Sequence, residues 1–246
     1  MEEIILGTII VLAAGIIQGL TSFGFALITI PLFIRFIPLQ EAVPLVLMLC
    51  LETNLIIIAN CIKHVRIKRI WILIVSSLIF VPVGAYFLMY FNPDYIKVAL
   101  GVIIVVFSVI LFFGKSFPIK NEKIGYSVAG SLSGFLNGSL SLGGPPVILF
   151  LSNQGMDKQG FRANFTFYFI VINLLTIASF LKTGILNKLV MERLLFLTPA
   201  LIVSVLAGIK LSKKVNEKLF KKITLILLIV TGLWTLINAV RDILVA

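Results

Sequence analysis

Two short stretches carry residue types able to bind an anion inside an otherwise apolar chain. In Ser141-Leu-Gly143-Gly144-Pro145-Pro146 the serine can cap a helix, the glycines let backbone N–H groups approach a ligand, and proline suits the first turn of the helix that follows. The combination predicts a helix N-terminus aimed inward, whose unpaired N–H groups and positive dipole end make a site for an anion. Thr21-Ser22-Phe23-Gly24 offers the same arrangement, with Pro31 farther along the next half-helix. Gln18, Asn137 and Ser139 add neutral donors. Neutral donors without Lys or Arg bind a small oxyanion and still release it, as a carrier must. Gly and Ser also serve close helix packing in membranes. What favours a binding role is that two such breaks occur in register.

The elements that must position these residues are membrane helices. Of 246 residues, 60% are hydrophobic and 13% charged, with mean hydropathy +1.14, whereas soluble domains are about a quarter charged. Six stretches are long and apolar enough to cross a bilayer as helix: Ala42–Ile62, Ile70–Tyr90, Ile96–Phe113, Ala163–Leu181, Leu194–Leu211 and Leu219–Val240. Two more, Ile4–Ile37 and Ile124–Ser152, are too long for one span and are interrupted near their middles. Each predicts a re-entrant hairpin with arms of about 14 to 16 residues. Connections are short, which predicts no soluble domain. Met1-Glu2-Glu3 lacks the basic start of a secretory signal, so the first segment is expected to be retained. Cys50 and Cys61, about 16 Å apart along one helix, cannot form a disulfide there and read as packing residues.

The chain also repeats. Gly15-Ile-Ile-Gln18-Gly19 lies on Gly130-Ser-Leu-Ser133-Gly134 at an offset of 115, which also carries Pro31 onto Pro146. Asn54 falls on Asn173 at 119, and Gly84 on Gly208 at 124. Each half reads as a broken segment followed by three spans, giving a first repeat over 1–114, a connecting loop over 115–123 and a second repeat over 124–246. Charge orients them. If each broken segment enters and leaves on one side, 15 of the 21 Lys and Arg share one face; if each crosses once, the split is 11 against 10. The positive-inside rule therefore favours hairpins. Three crossings then separate corresponding loops, so the repeats are inverted, the 115–123 loop is cytoplasmic and both termini are extracytoplasmic. Broken helices at matching places in inverted repeats point to a transporter's site near the midplane.

Ionisable residues within spans are expensive and so informative. Glu52 lies near the centre of its span and should face the bundle interior. A carboxyl there can carry a proton coupled to anion movement, or be a structural group paired with Asn54 or a polar residue of the other repeat. Asn54 and Asn173 are either site donors or interhelical glue. Arg162 and Asn164 sit at the cytoplasmic entrance of a span, where Arg162 reads as a topology determinant.

Enzymatic chemistry lacks its residues. The one histidine, His64, falls in the basic loop Lys63-His-Val-Arg66-Ile-Lys68-Arg69, and neither G-x-S-x-G nor H-E-x-x-H occurs. Two cysteines and one histidine do not furnish a usual zinc site, so no metal or cofactor is expected. Gly114-Lys115-Ser116 echoes the end of a phosphate-binding loop, but Val109 stands where its first glycine belongs. Transport would therefore be secondary. The net charge of +11 suits anionic lipid headgroups at the cytoplasmic face rather than nucleic acid, with Lys210, Lys213, Lys214, Lys218, Lys221 and Lys222 the densest cluster.

The paired signatures "GIIQGLTSFGFALITIP" and "GSLSGFLNGSLSLGGPPVILF", in a duplicated chain of this length, resemble the TauE/SafE (TSUP) family of sulfite and organosulfur-anion exporters. The first half departs from it, with Phe23, Phe25 and Ala26 where a richer glycine cluster is often found. The resemblance implies an all-α membrane transporter of a small anion such as sulfite or a sulfonate. A membrane scaffold or accessory subunit and a passive anion channel stand as the alternatives. Neither the anion, the direction of transport nor the oligomeric state is written in these residues.

Overall fold

Helix ends fall where the sequence places caps and breakers. The computed structural model describes residues 2–113, 121–152, 154, 156–212, 226, 229–230 and 232–241. Asn121 caps one helix by accepting hydrogen bonds from the N–H groups of Lys123 and Ile124. Asn187 caps another by accepting from Val190 N–H at 2.9 Å. The described elements are α1 (Glu2–Thr21), α2 (Phe25–Phe33), α3 (Leu39–Ile58), a short 3₁₀ turn (Ile62–His64), α4 (Ile67–Tyr90), α5 (Pro93–Phe113), α6 (Glu122–Leu140), α7 (Gly144–Ser152), α8 (Lys158–Thr183) and α9 (Lys188–Leu211). The described part of the expected Leu219–Val240 span is helical at 226, 229–230 and 232–240; its other residues, most of the lysine cluster, Gly114 and residues 115–120 of the connecting loop lie outside the described residues.

Six of these helices, α1, α3, α4, α5, α8 and α9, are long and apolar enough to cross a membrane. Their outward faces match that solvent. On α4, Trp71, Val75, Ile79, Val83 and Tyr86 are exposed, as are Leu195, Phe196, Val203 and Leu206 on α9. Apolar stripes this extensive belong against lipid rather than water. The chain is a multi-pass membrane protein.

Both broken regions double back on themselves. Phe33, Phe36 and Ile37, at and beyond the end of α2, line one pocket with Glu3, Ile4 and Gly7 at the start of α1. In the second region the rings of Tyr126 and Phe150 meet with centroids 4.4 Å apart, joining the start of α6 to the end of α7. The arms are unequal, however. α1 has 20 residues and α2 has 9; α6 has 19 and α7 has 9. The even division expected from the sequence assumed a break at the middle. The helices instead run on to Ser22 and Ser141, where φ is 70° and 53°, the left-handed conformation that ends a helix.

The two breaks share one spacing. Thr21 and Leu140 close the long arms, and Phe25 and Gly144 open the short ones, an offset of 119 at both ends of the break rather than 115. At that spacing Gln18 falls on Asn137, and Gly15 and Gly19 fall on Gly134 and Gly138, while Pro31 does not fall on Pro146. Packing follows the same correspondence, since α6 runs along α4 and α1 runs along α9 as the most extensive helix pairs. These pairs approach closely enough to exclude side chains. A Cβ on Gly134 would lie 2.8 Å from Ser77 Cα, and one on Gly208 would lie 3.0 Å from Gly19 Cα. α3 and α8 pack on each other between these two pairs and also touch α9 and α4 respectively.

Candidate functional site

The first break is braced by its own side chains. Gln18 spends both ends of its amide there, donating from Nε2 to the Ser22 carbonyl at 3.3 Å and accepting the Phe25 N–H at Oε1 at 3.1 Å. Thr21 Oγ1 donates toward the carbonyls of Ile17 and Phe23 and accepts the Phe23 N–H. Gly24, the N-cap of α2, has φ 104°, a conformation that favours glycine. The Leu27 N–H has no backbone acceptor among the described residues, so α2 keeps a donor free in its first turn.

The second break rests on a hydroxyl chain. Ser133 Oγ donates to the Gly143 carbonyl at 2.7 Å and accepts from the Tyr168 hydroxyl at 2.8 Å. Tyr168, fully buried on α8, also pairs with Ser77 of α4. Ser141 Oγ donates to the Val43 carbonyl of α3 at 3.0 Å. Pro145 and Pro146 occupy the second and third positions of α7 and have no N–H to offer. Of those three positions only Gly144 keeps its donor, with the helix dipole behind it.

One cavity of about 50 Å³ receives both breaks. Phe23, Gly24, Phe25, Ala26 and Leu27 line it from the first break, and Ser141, Leu142, Gly144, Pro145 and Ile148 from the second. The N-termini of α2 and α7 thus meet at a single space, large enough for a few waters or one small oxyanion. Its remaining polar wall is amide: Gln18, Asn54, Asn137 and Asn173. Asn137 Nδ2 donates to Asn173 Oδ1 at 3.1 Å and to Thr176 Oγ1 at 2.9 Å. Asn54 Oδ1 and Asn173 Nδ2 are buried with no partner, and buried polar groups are seldom left so. Phe165 and Phe169 of α8 supply an aromatic wall, and no charged side chain lines the cavity among the described residues.

Of the residues singled out from sequence, Gln18, Gly24, Asn54, Asn137, Ser141, Gly144, Pro145 and Asn173 line this cavity, and Thr21, Ser22, Ser139 and Gly143 do not. Ser139 turns its hydroxyl back onto the Phe135 carbonyl. Pro31 and Pro146 are buried within their short helices. Glu52 also lies outside the cavity lining. Its carboxylate accepts from Thr198 Oγ1 of α9 at 3.0 and 3.1 Å, a polar residue of the other half of the chain. Ser133, Tyr168 and Thr198 went unnoticed as supports because single hydroxyls in apolar helices carry no local pattern. Cys50, read as packing, lines the cavity. Arg162 is buried, and its Nη2 donates to the Gly19 carbonyl at 3.1 Å, so it braces the end of α1. Asn164 accepts the Arg66 N–H at 2.8 Å, pinning the basic loop to α8. The described residues contain no group of three or more His, Cys, Asp or Glu able to hold a metal ion.

Compared with known protein families, residues 7–235 match the model of the sulfite exporter TauE/SafE family. No curated protein matches the chain, and no solved structure matches it.

Proposed function

This chain belongs to the sulfite exporter TauE/SafE family, and from that premise we propose that it is a secondary transporter whose anion site is the cavity between the two helix breaks. The observation that supports this reading best is the meeting of two helix N-termini, α2 and α7, at one cavity that no charged side chain lines among the described residues. Each end carries roughly +0.5 charge, enough to hold a small oxyanion without the tight ion pair that would prevent release. The proposal extends to two inverted repeats, 1–114 and 124–246, with both termini extracytoplasmic and the basic loops against anionic lipid. It includes coupling to protons, with Glu52, near the centre of its span and held by Thr198, as the carboxyl that takes one up. The substrate class is sulfite, a sulfonate or a related small anion.

Uptake of radiolabelled sulfite into proteoliposomes tests this, with and without an imposed pH gradient and beside a Gly144→Val variant whose bulk would enter the cavity. Gradient-dependent flux that is lost in the folded variant is the expected outcome. Flux indifferent to the gradient at matched substrate speciation would make the protein a passive channel. No flux of sulfite, sulfonates or carboxylates would leave a scaffold.

A further inference from the structure

Amide side chains differ from Lys and Arg in one respect that bears on which ionic form of a substrate fits: every amide brings an acceptor along with its donors. On the reading of the cavity as an anion site, we propose that it takes the protonated monoanion of its oxyanion, hydrogensulfite where the substrate is sulfite, in preference to the dianion and to oxyanions that carry no O–H.

The hydrogen bonds of the wall lead to this form. Asn173 accepts from Asn137 at its oxygen, which leaves its Nδ2 as an unpartnered donor. Asn54, 3% exposed, has no partner at Oδ1. Whichever way the Asn54 amide is turned, it presents one carbonyl oxygen and one NH₂ group to the surroundings. A fully deprotonated oxyanion satisfies the donors and leaves the carbonyl facing negative charge. A ligand with one O–H among its oxygens satisfies both.

Charge leads the same way. Among the described residues the lining holds no cation, and two helix N-termini at roughly +0.5 each supply about one unit of positive charge. Desolvation cost rises with the square of the charge, so a dianion costs roughly four times what a monoanion does against the same compensation. The groups able to confuse a pH response are few. Cys50 lines the cavity. On α8, Arg162 is bound to the Gly19 carbonyl and Tyr168 to Ser133 and Ser77. Glu52 of α3 is turned to Thr198. α2 and α7 carry no ionisable side chain, and those of α1 and α6 lie toward the ends remote from the breaks.

Equilibrium binding of sulfite to the purified full chain across pH 6 to 9, with methanesulfonate measured in parallel, tests the proposal. Methanesulfonate is a tetrahedral monoanion with no ionisable proton, and its charge is constant over this range. The apparent dissociation constant for total sulfite should rise about tenfold per pH unit once hydrogensulfite is the minor form, and should be constant when expressed in hydrogensulfite. Methanesulfonate should bind at least about tenfold more weakly, without a slope. In Asn54→Leu the preference for hydrogensulfite over methanesulfonate should shrink, a readout that a purely structural asparagine would not move. Sulfite affinity that is flat in pH, or methanesulfonate binding equally well or with the same slope, overturns the proposal and leaves the anion site standing. Failure of every oxyanion to bind at any pH overturns the site itself and this proposal with it.

Discussion

Asn137, four residues before the second break, is bonded through its amide nitrogen to Asn173 Oδ1 at 3.1 Å, midway along α8. The same nitrogen reaches Thr176 Oγ1 at 2.9 Å. One side chain therefore ties the hairpin of α6 and α7 to the central helix and forms part of the cavity wall. Asn137→Ala removes the donor and leaves two buried acceptors short of a partner, a loss of about 1–3 kcal/mol. Thermal unfolding in detergent should register that loss. Flux in proteoliposomes should fall by about tenfold or more, because the wall loses its register as well as a polar group. An unchanged melting temperature together with unchanged flux would remove this bond from the account.

The two adjacent glycines of the second break should respond differently to the same substitution. A Cβ on Gly143 would lie 2.8 Å from the Ser133 carbonyl oxygen and 3.0 Å from Asn137 Cβ, so Gly143→Ala forces α6 and α7 apart and should cost about 1–3 kcal/mol. A Cβ on Gly144 meets only Ile148 Cδ1 and Phe165 Cζ, both at 3.8 Å, which is ordinary contact. Gly144→Ala should fold normally and reduce flux by narrowing the cavity. Gel filtration and flux, measured together, separate the two, and equal loss of folding in both would contradict the geometry.

The hydrophobic pattern was enough to read five of the spans, because uninterrupted apolar runs have one solution in lipid. Helix ends shifted by a few residues, as with α8, which begins at Lys158 rather than Ala163, since boundaries depend on caps and loops. The breaks were visible as Gly, Ser and Pro clusters, yet their registration was not. The sequence allows Gly15 and Gly19 to match Gly130 and Gly134 because α6 carries three glycines at four-residue spacing, Gly130, Gly134 and Gly138. A repeat with period four slips without penalty in a sequence comparison. Only the left-handed serines, Ser22 and Ser141, fix where the helices end. The partners of Gln18, Ser133 and Glu52 were beyond the sequence for another reason. A side chain that bonds its neighbour's backbone and one that lines a cavity look alike until the helices are packed.

Helix packing makes a contrast available between two glycines that both sit within helices. Gly134 lies so close to Ser77 that a Cβ would fall 2.8 Å from its Cα. Gly134→Ala should therefore destabilise the α4 and α6 pair by about 1–3 kcal/mol. Gly7 of α1 meets only Leu197 Cδ2 at 3.6 Å. Gly7→Ala should be neutral, or stabilising by up to about 1 kcal/mol, since alanine is the better helix former. Melting temperatures of the two variants in the same detergent check both signs at once.

Glu52 lies outside the cavity lining while Asn54, two residues on, lies within it, so the coupling proposed for Glu52 can be tested apart from binding. Positions two apart on a helix are turned roughly 200° from each other, and Glu52 faces α9. There Thr198 Oγ1 has three acceptors in reach, the two carboxylate oxygens of Glu52 at 3.1 and 3.0 Å and the Leu194 carbonyl at 2.9 Å, and only one proton to give them. In Glu52→Gln the new amide nitrogen can donate to Thr198, freeing the hydroxyl for Leu194, so the contact survives and stability should change by less than about 1 kcal/mol. Equilibrium binding of sulfite should be unchanged for the same reason. If Glu52 carries the coupled proton, as proposed, the variant should lose the acceleration produced by an imposed pH gradient when the hydrogensulfite concentration is held equal. A gradient response that persists in full at equal hydrogensulfite would exclude Glu52 as the carrier and leave the substrate's own proton as the coupled one.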